Sequence, residues 1–270
     1  MSRKLLAGPY LIWMICCTVV PLGMIVYYGL TDRSGAFTFA NLSAITVPAH
    51  AKALGLALLL AVISTLICLI LAYPLGLILR KTGLGQKGFV VFLFILPMWM
   101  NFLLRTMAWQ TILEKHGVIN GILSFLGLPS LRLINTPAAI VMGMVYDFLP
   151  FMVLPVYNVL MKIDNSVVEA ARDLGASNRQ ILFKILIPLS IPGIVSGITM
   201  VFIPSLTTFV IPNMLGGGKV LLIGNIIDQE FTVGSNWHLG SGLSLVMMVF
   251  ILISMLFLAK FDKGGEGNAF

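Results

Sequence analysis

Long uncharged apolar runs alternate along this chain with short segments that carry most of its Lys and Arg residues. A helix needs about 20 mostly apolar residues to cross about 30 Å of hydrocarbon. Six stretches answer to that length. The first covers 5–30, behind Arg3 and Lys4. A signal peptide would have a shorter apolar core and a small-residue cleavage site, so this run is expected to be a retained helix. The second covers 53–79. The third, 89–113, contains Pro97 and Arg105, and the fourth, 137–161, contains Asp147, Pro150 and Pro155. The fifth covers 191–211 with Pro192 and Pro204, and the sixth 239–259. The pattern predicts an all-α membrane protein, one domain over 1–270 with six transmembrane helices.

The polar interval 162–188 has a periodicity of its own. Ser166-Val167-Val168-Glu169 has the S-x-x-E form of a capping box, whose side chains satisfy the free N–H groups of a helix start. Val167, Ala170, Ala171 and Leu174 then recur at i, i+3, i+4 and i+7 as one apolar stripe, with Glu169, Arg172 and Asp173 opposite. Gly175 supplies a residue that tolerates φ > 0 and ends the helix. Ser177-Asn178-Arg179-Gln180 is a second box, and Pro188 sets the junction with the next membrane run. The expectation is two short, sharply turned helices at the membrane face. An amphipathic connector packed on the bundle or on headgroups would show the same stripe.

Composition excludes most alternatives. Hydrophobic residues make up 59% and charged residues only 10%, with mean hydropathy +1.02, against about 25% charged in a typical soluble domain. The net charge of +7 does not indicate nucleic acid, because the basic residues are not gathered with aromatics on one polar patch. Of the 17 Lys and Arg, eleven fall in the N-terminal segment, 80–87, 162–184 and the C-terminal tail. Arg33, Lys52, Lys115, Arg132 and Lys219 fall in the other loops, and Arg105 lies inside a run. The positive-inside rule therefore predicts both termini in the cytoplasm. Cys16, Cys17 and Cys68 sit in apolar runs without metal-ligand spacing.

Two charges stand inside apolar runs, and intramembrane charges mark functional sites by default. Asp147 is expected to pair with Arg105; direct contact with a ligand is the alternative. Trp99, Trp109 and Tyr146 could supply aromatic surfaces to the same site, although such aromatics are more often core or interface anchors. Asp228 and Glu230 are expected in a solvated outer loop before the last helix. Gly216-Gly217-Gly218-Lys219 is not a phosphate loop, because Asn213 and Val220 stand where that motif needs Gly and Ser or Thr. Asn41-Leu42-Ser43 fits a glycosylation acceptor, a motif short enough to arise by chance. No catalytic constellation, metal cluster or cofactor motif is evident.

Glu169-Ala170-Ala171, three residues, Gly175, nine residues and Ile185-Leu186-Ile187-Pro188 resemble the "EAA" loop of ABC-importer permeases. Ile187 replaces the family's Leu and keeps its apolar character. The resemblance extends through Leu96-Pro97-Met98-Trp99, Phe102 to Thr106, Tyr146 to Pro155, Phe209 to Pro212, Leu215-Gly216-Gly217 and Leu222 to Asn225. Across these the chain is similar to spermidine/putrescine permeases, most of all to the first, B-type permease of the pair. The resemblance implies a type I ABC importer permease fold in the bacterial inner membrane, with a cytoplasmic coupling helix. Glu169, Ala170, Ala171, Asp173 and Gly175 would then dock an ATP-binding subunit. Implied partners are a second permease, two copies of the ATP-binding subunit, an extracytoplasmic substrate-binding protein and the bilayer, with no nucleic acid. ATP hydrolysis would belong to the partner, so the chain is expected not to be an enzyme. A permease of this class for sulfate, molybdate or ferric iron stays open, as does a self-sufficient channel or ion-coupled carrier.

Overall fold

The computed structural model describes residues 8–82 and 96–262. Arg3, Lys4, Lys87, the start of the third apolar run and Lys263 lie outside them. Helix α1 comprises Gly8–Met14, a π turn over Ile15–Val19, and Val20–Gly29. Helix α2 is Pro48–Thr82, α3 Phe102–Leu113, α4 Val118–Phe125, and α5 Pro137–Lys162. Helix α6 is Asn165–Asp173, α7 Asn178–Thr207, α8 Val210–Gly216, α9 Ile223–Thr232, and α10 Trp237–Asp262. Among the described residues the β structure is one bridge, Thr31 with Phe37.

Five of these helices are long and apolar enough to span a membrane: Ile12–Gly29, α2, α5, α7 and α10. The third run differs from its expected form. A short turn, Leu96–Trp99, is followed by a break, and α3 begins afresh where the Asn101 side chain accepts from the Leu103 and Leu104 amides at 2.9 and 3.3 Å. Its 12 residues reach only about 18 Å at 1.5 Å per residue. The fifth run is also redrawn. Instead of a separate second loop helix joined at Pro188, α7 continues from the loop through a π turn, Leu182–Leu186, into the apolar segment. It stops at Thr207, where Thr208 turns to extended backbone (ψ 140°) before α8. Asp228 and Glu230 lie half-buried on α9, not in a loop.

The described chain divides into two compact units. One holds the residues through Leu54 together with Ile223–Ile253. There a hairpin after α1 is held by Asp32, whose Oδ1 accepts from the Ser34 amide, the Ser34 hydroxyl and the Ala36 amide. The Asn41 amide donates to the carbonyls of Gly29 and Thr31, and the His238 imidazole donates to Thr31 at 2.7 Å.

The other unit, Gly55–Leu222 with the residues from Ser254, is built around α5. Thr136 caps it and Pro137 fills its first turn, where a missing N–H costs nothing. Met144, Met152, Val153, Val156 and Leu160 of α5 are buried with Val195, Val201 and Leu206 of α7. Ser64 and Cys68 of α2 reach Met144 and Val145 of α5, and Tyr73 of α2 reaches Ser190 of α7. Large outward side chains of α2 stay uncovered, Leu66 and Ile70 being 53% and 67% exposed. Hydrocarbon is a better solvent than water for such a surface.

Candidate functional site

The loop helix α6 starts two residues earlier than the S-x-x-E spacing predicts. Ile163 and Asp164 are both extended, and the Asp164 carboxylate caps the helix by accepting from the Ser166 amide at 3.0 Å. The expected box between Ser166 and Glu169 is therefore not formed. Ser166 is already inside the first turn, and Glu169 is free of that capping role. The other end follows the expectation. Gly175 (φ 81°) lets the Ala176 amide reach Ala171 O and its own amide reach Arg172 O, closing the helix in a Schellman motif. Ser177 and Gln180 do form their reciprocal box at 2.8 and 3.3 Å.

A residue that the sequence did not single out fixes this helix in place. Arg80, in the last turn of α2, donates through Nη2 to Ile163 O and Asn165 Oδ1, both at 3.0 Å. A cavity of about 440 Å³ lies alongside, lined by Arg80, Lys81, Glu169, Arg172, Ile181 and Leu186 among others. Glu169, Ala170 and Asp173 are exposed and Ala171 half-buried. On the apolar stripe Val167 is 42% and Leu174 89% exposed. The stripe is thus largely uncovered, and the helix is capped at both ends.

The Ser166 amide, and after it the Ser166 hydroxyl, hold the Asp164 carboxyl below the usual carboxylate range. A depressed value means stabilisation that is complete above the unfolded value of about 3.9 and fades as pH falls through the folded one. The cap is therefore intact at neutral pH. Asp164→Ala should speed hydrogen exchange at the Ser166 amide several-fold at pH 7, and Asp164→Ser should restore most of the protection.

Arg105 on α3 and Asp147 on α5 form the one ion pair found among the described residues, Nε to Oδ1 at 3.4 Å, with exposures of 7% and 2%. Trp109, four residues on from Arg105, stands edge-to-face on Tyr146 with ring centroids 5.2 Å apart. The two contacts form successive rungs between the same two helices. Arg105 Nε and Nη1 and Asp147 Oδ1 have no hydrogen-bond partner. Trp99 lies in the turn before the break and is 77% exposed.

Long apolar helices with a charge pair buried between two of them and an exposed amphipathic helix in a loop describe a membrane-spanning protein. Residues 72–264 match the family described as "Binding-protein-dependent transport system inner membrane component", and the chain belongs to that family. It is 34% identical over 259 residues to the spermidine/putrescine transport system permease protein PotB of Haemophilus influenzae, covering 93% of this chain and 91% of that one. Its identity to PotB of Escherichia coli is 35% over 252 residues, covering 90% and 92%. The solved structure of a bacterial alginate ABC transporter in complex with alginate pentasaccharide-bound periplasmic protein has the same fold. Its TM-score is 0.79 at 16% identity, covering 94% of this chain and 91% of that one. The chain is an inner-membrane permease subunit, not an enzyme. Membership implies an ATP-binding subunit and a periplasmic binding protein beside it.

Proposed function

We propose that this chain is one of the two membrane-spanning permeases of an ATP-driven importer for polyamines, spermidine and putrescine. The observation that carries the cargo is the 34–35% identity to spermidine/putrescine permeases over at least 90% of the chain. Two ATP-binding subunits supply the energy, and an extracytoplasmic binding protein delivers the cargo. Both termini lie in the cytoplasm, so α6 faces the ATPase. Glu169, Ala170, Ala171 and Asp173 make that contact, and Gly175 holds the helix end in shape. Trp99, Arg105, Trp109, Tyr146 and Asp147 border the cargo pathway. An anion pathway would need positive charge facing the pore, whereas Asp147 already offsets Arg105.

Uptake of radiolabelled spermidine in cells carrying and lacking the gene tests the cargo; equal uptake in the two would sink it. The coupling assignment is tested by Glu169→Lys. Since Glu169 does not cap α6, the variant should insert at the normal level, lose co-purification of the ATP-binding subunit and lose uptake at least tenfold. Normal co-purification would remove Glu169 from the contact.

A further inference from the structure

The buried pair between α3 and α5 is incompletely made. Charge-assisted N–H···O bonds are normally about 2.7–2.9 Å, and guanidinium with carboxylate usually forms a two-pronged fork. Here Arg105 Nε approaches Asp147 Oδ1 at 3.4 Å, and Arg105 Nε, Arg105 Nη1 and Asp147 Oδ1 all lack a hydrogen bond. Desolvating two charges is costly even when their geometry is good, and leaving donors and acceptors unmatched adds to that cost. A permanent structural strut would be expected to close the fork. This pair retains unmatched donors on one partner and an unmatched acceptor on the other.

We infer that Arg105 is a tethered substitute for the cargo's cation: its guanidinium occupies Asp147 while the pathway is empty and yields that carboxylate to an ammonium group of a passing polyamine. The inference rests on the polyamine assignment proposed above. Its chemistry is an exchange of like for like. Both guanidinium and alkylammonium are monovalent donors, so the buried carboxylate keeps one cation throughout and is never left uncompensated. The displaced guanidinium then repels the ammonium that replaced it, which prevents the cargo from settling there. The rung at Trp109 and Tyr146, one helical turn along α3, offers aromatic faces to the alkyl chain and to a second ammonium, which such rings attract. An anionic cargo drawn to Arg105 would meet the Asp147 carboxylate within the same few ångströms.

The test uses the complete transporter, with its partner permease, ATP-binding subunits and binding protein, reconstituted in vesicles, and measures ATP-driven spermidine uptake against concentration. Arg105→Gln should lower KM and also lower the maximal rate, because cargo no longer has a competitor at Asp147 and leaves slowly. Asp147→Asn should raise KM at least tenfold. It strands a buried guanidinium and so risks misfolding, and the neutral double variant Arg105→Gln/Asp147→Asn removes that risk. The double variant should be inserted at the normal level and still show the raised KM. A purely structural pair predicts the opposite, namely a double variant with normal KM, or two single variants that both raise it; either result overturns the inference. Absence of ATP-driven spermidine or putrescine uptake by the unmodified transporter would instead overturn the cargo assignment, and the exchange with it.

Discussion

Gly193→Leu is expected to remove most of the folded protein from the membrane. A Cβ built at Gly193 on α7 would lie 2.7 Å from the carbonyl oxygen of Pro155 and 2.8 Å from Val159 Cγ2 on α5. The first obstacle is backbone and cannot rotate away. Four residues later Gly197 meets the same helix, its Cβ position 2.6 Å from Met152 Sδ. These two glycines let the two helices approach at the level of their main chains. Helices in lipid associate through such packing, since burial away from hydrocarbon gains them little. Overpacking a tight site costs roughly 1–3 kcal/mol, and a leucine beside backbone belongs at or above the top of that range. Gly193→Ala should reduce accumulation partially and Gly193→Leu at least fivefold, read as membrane-extracted monodisperse protein. Equal yields would show that α5 and α7 are not packed this closely in the membrane.

Neither glycine was marked by the apolar pattern, and the reason is physical. Hydropathy averages over about 20 residues and reports solvent preference, whereas the approach of two helices depends on single missing side chains. The same averaging concealed Asn101, a polar residue that caps a helix start within a run that otherwise reads as one membrane span. It also read through Thr208, where the chain breaks between α7 and α8 at a pair of threonines, too small a polar interruption to lower a 20-residue average. The features that did come through are those where one residue type has a geometric reason to stand. Gly175 stops α6 because φ of 81° suits glycine best, and Ser177 with Gln180 closes a reciprocal box.

The start of α6 shows where such local signals compete. Ser and Asp cap helices about equally well, and Asp164 and Ser166 stand two residues apart. The sequence favoured Ser166 because Glu169 completed a box with it. The extended backbone at Ile163 and Asp164, with Arg80 gripping Ile163 O and Asn165, selects Asp164 instead. That grip comes from a residue more than 80 positions away, and no local spacing announces it. Arg105 and Asp147 were each legible as charges out of place. Their incomplete geometry, from which the exchange of cations follows, was not.

Ala170→Asp and Leu174→Asp should each uncouple the transporter while leaving the permease folded. The apolar stripe of α6 turns outward, with Leu174 89% and Val167 42% exposed, and its ends are fixed by the Asp164 cap and the Gly175 turn. Burying one leucine against a partner stabilises the complex by roughly 1.5–3 kcal/mol. At about 1.4 kcal/mol per factor of ten, losing that contact weakens docking by one to two orders of magnitude, before the cost of desolvating the new carboxylate is added. Co-purification of the ATP-binding subunit and ATP-driven uptake should therefore both fall at least tenfold. Leu174→Met, which keeps the apolar contact, should behave nearly normally. Because both side chains are exposed in the isolated chain, insertion and hydrogen exchange at the Ser166 amide should not change. Retained co-purification would mean that the stripe rests on lipid headgroups instead. Lost insertion would mean that it packs on the permease bundle itself, and either result would take the ATPase contact away from this face.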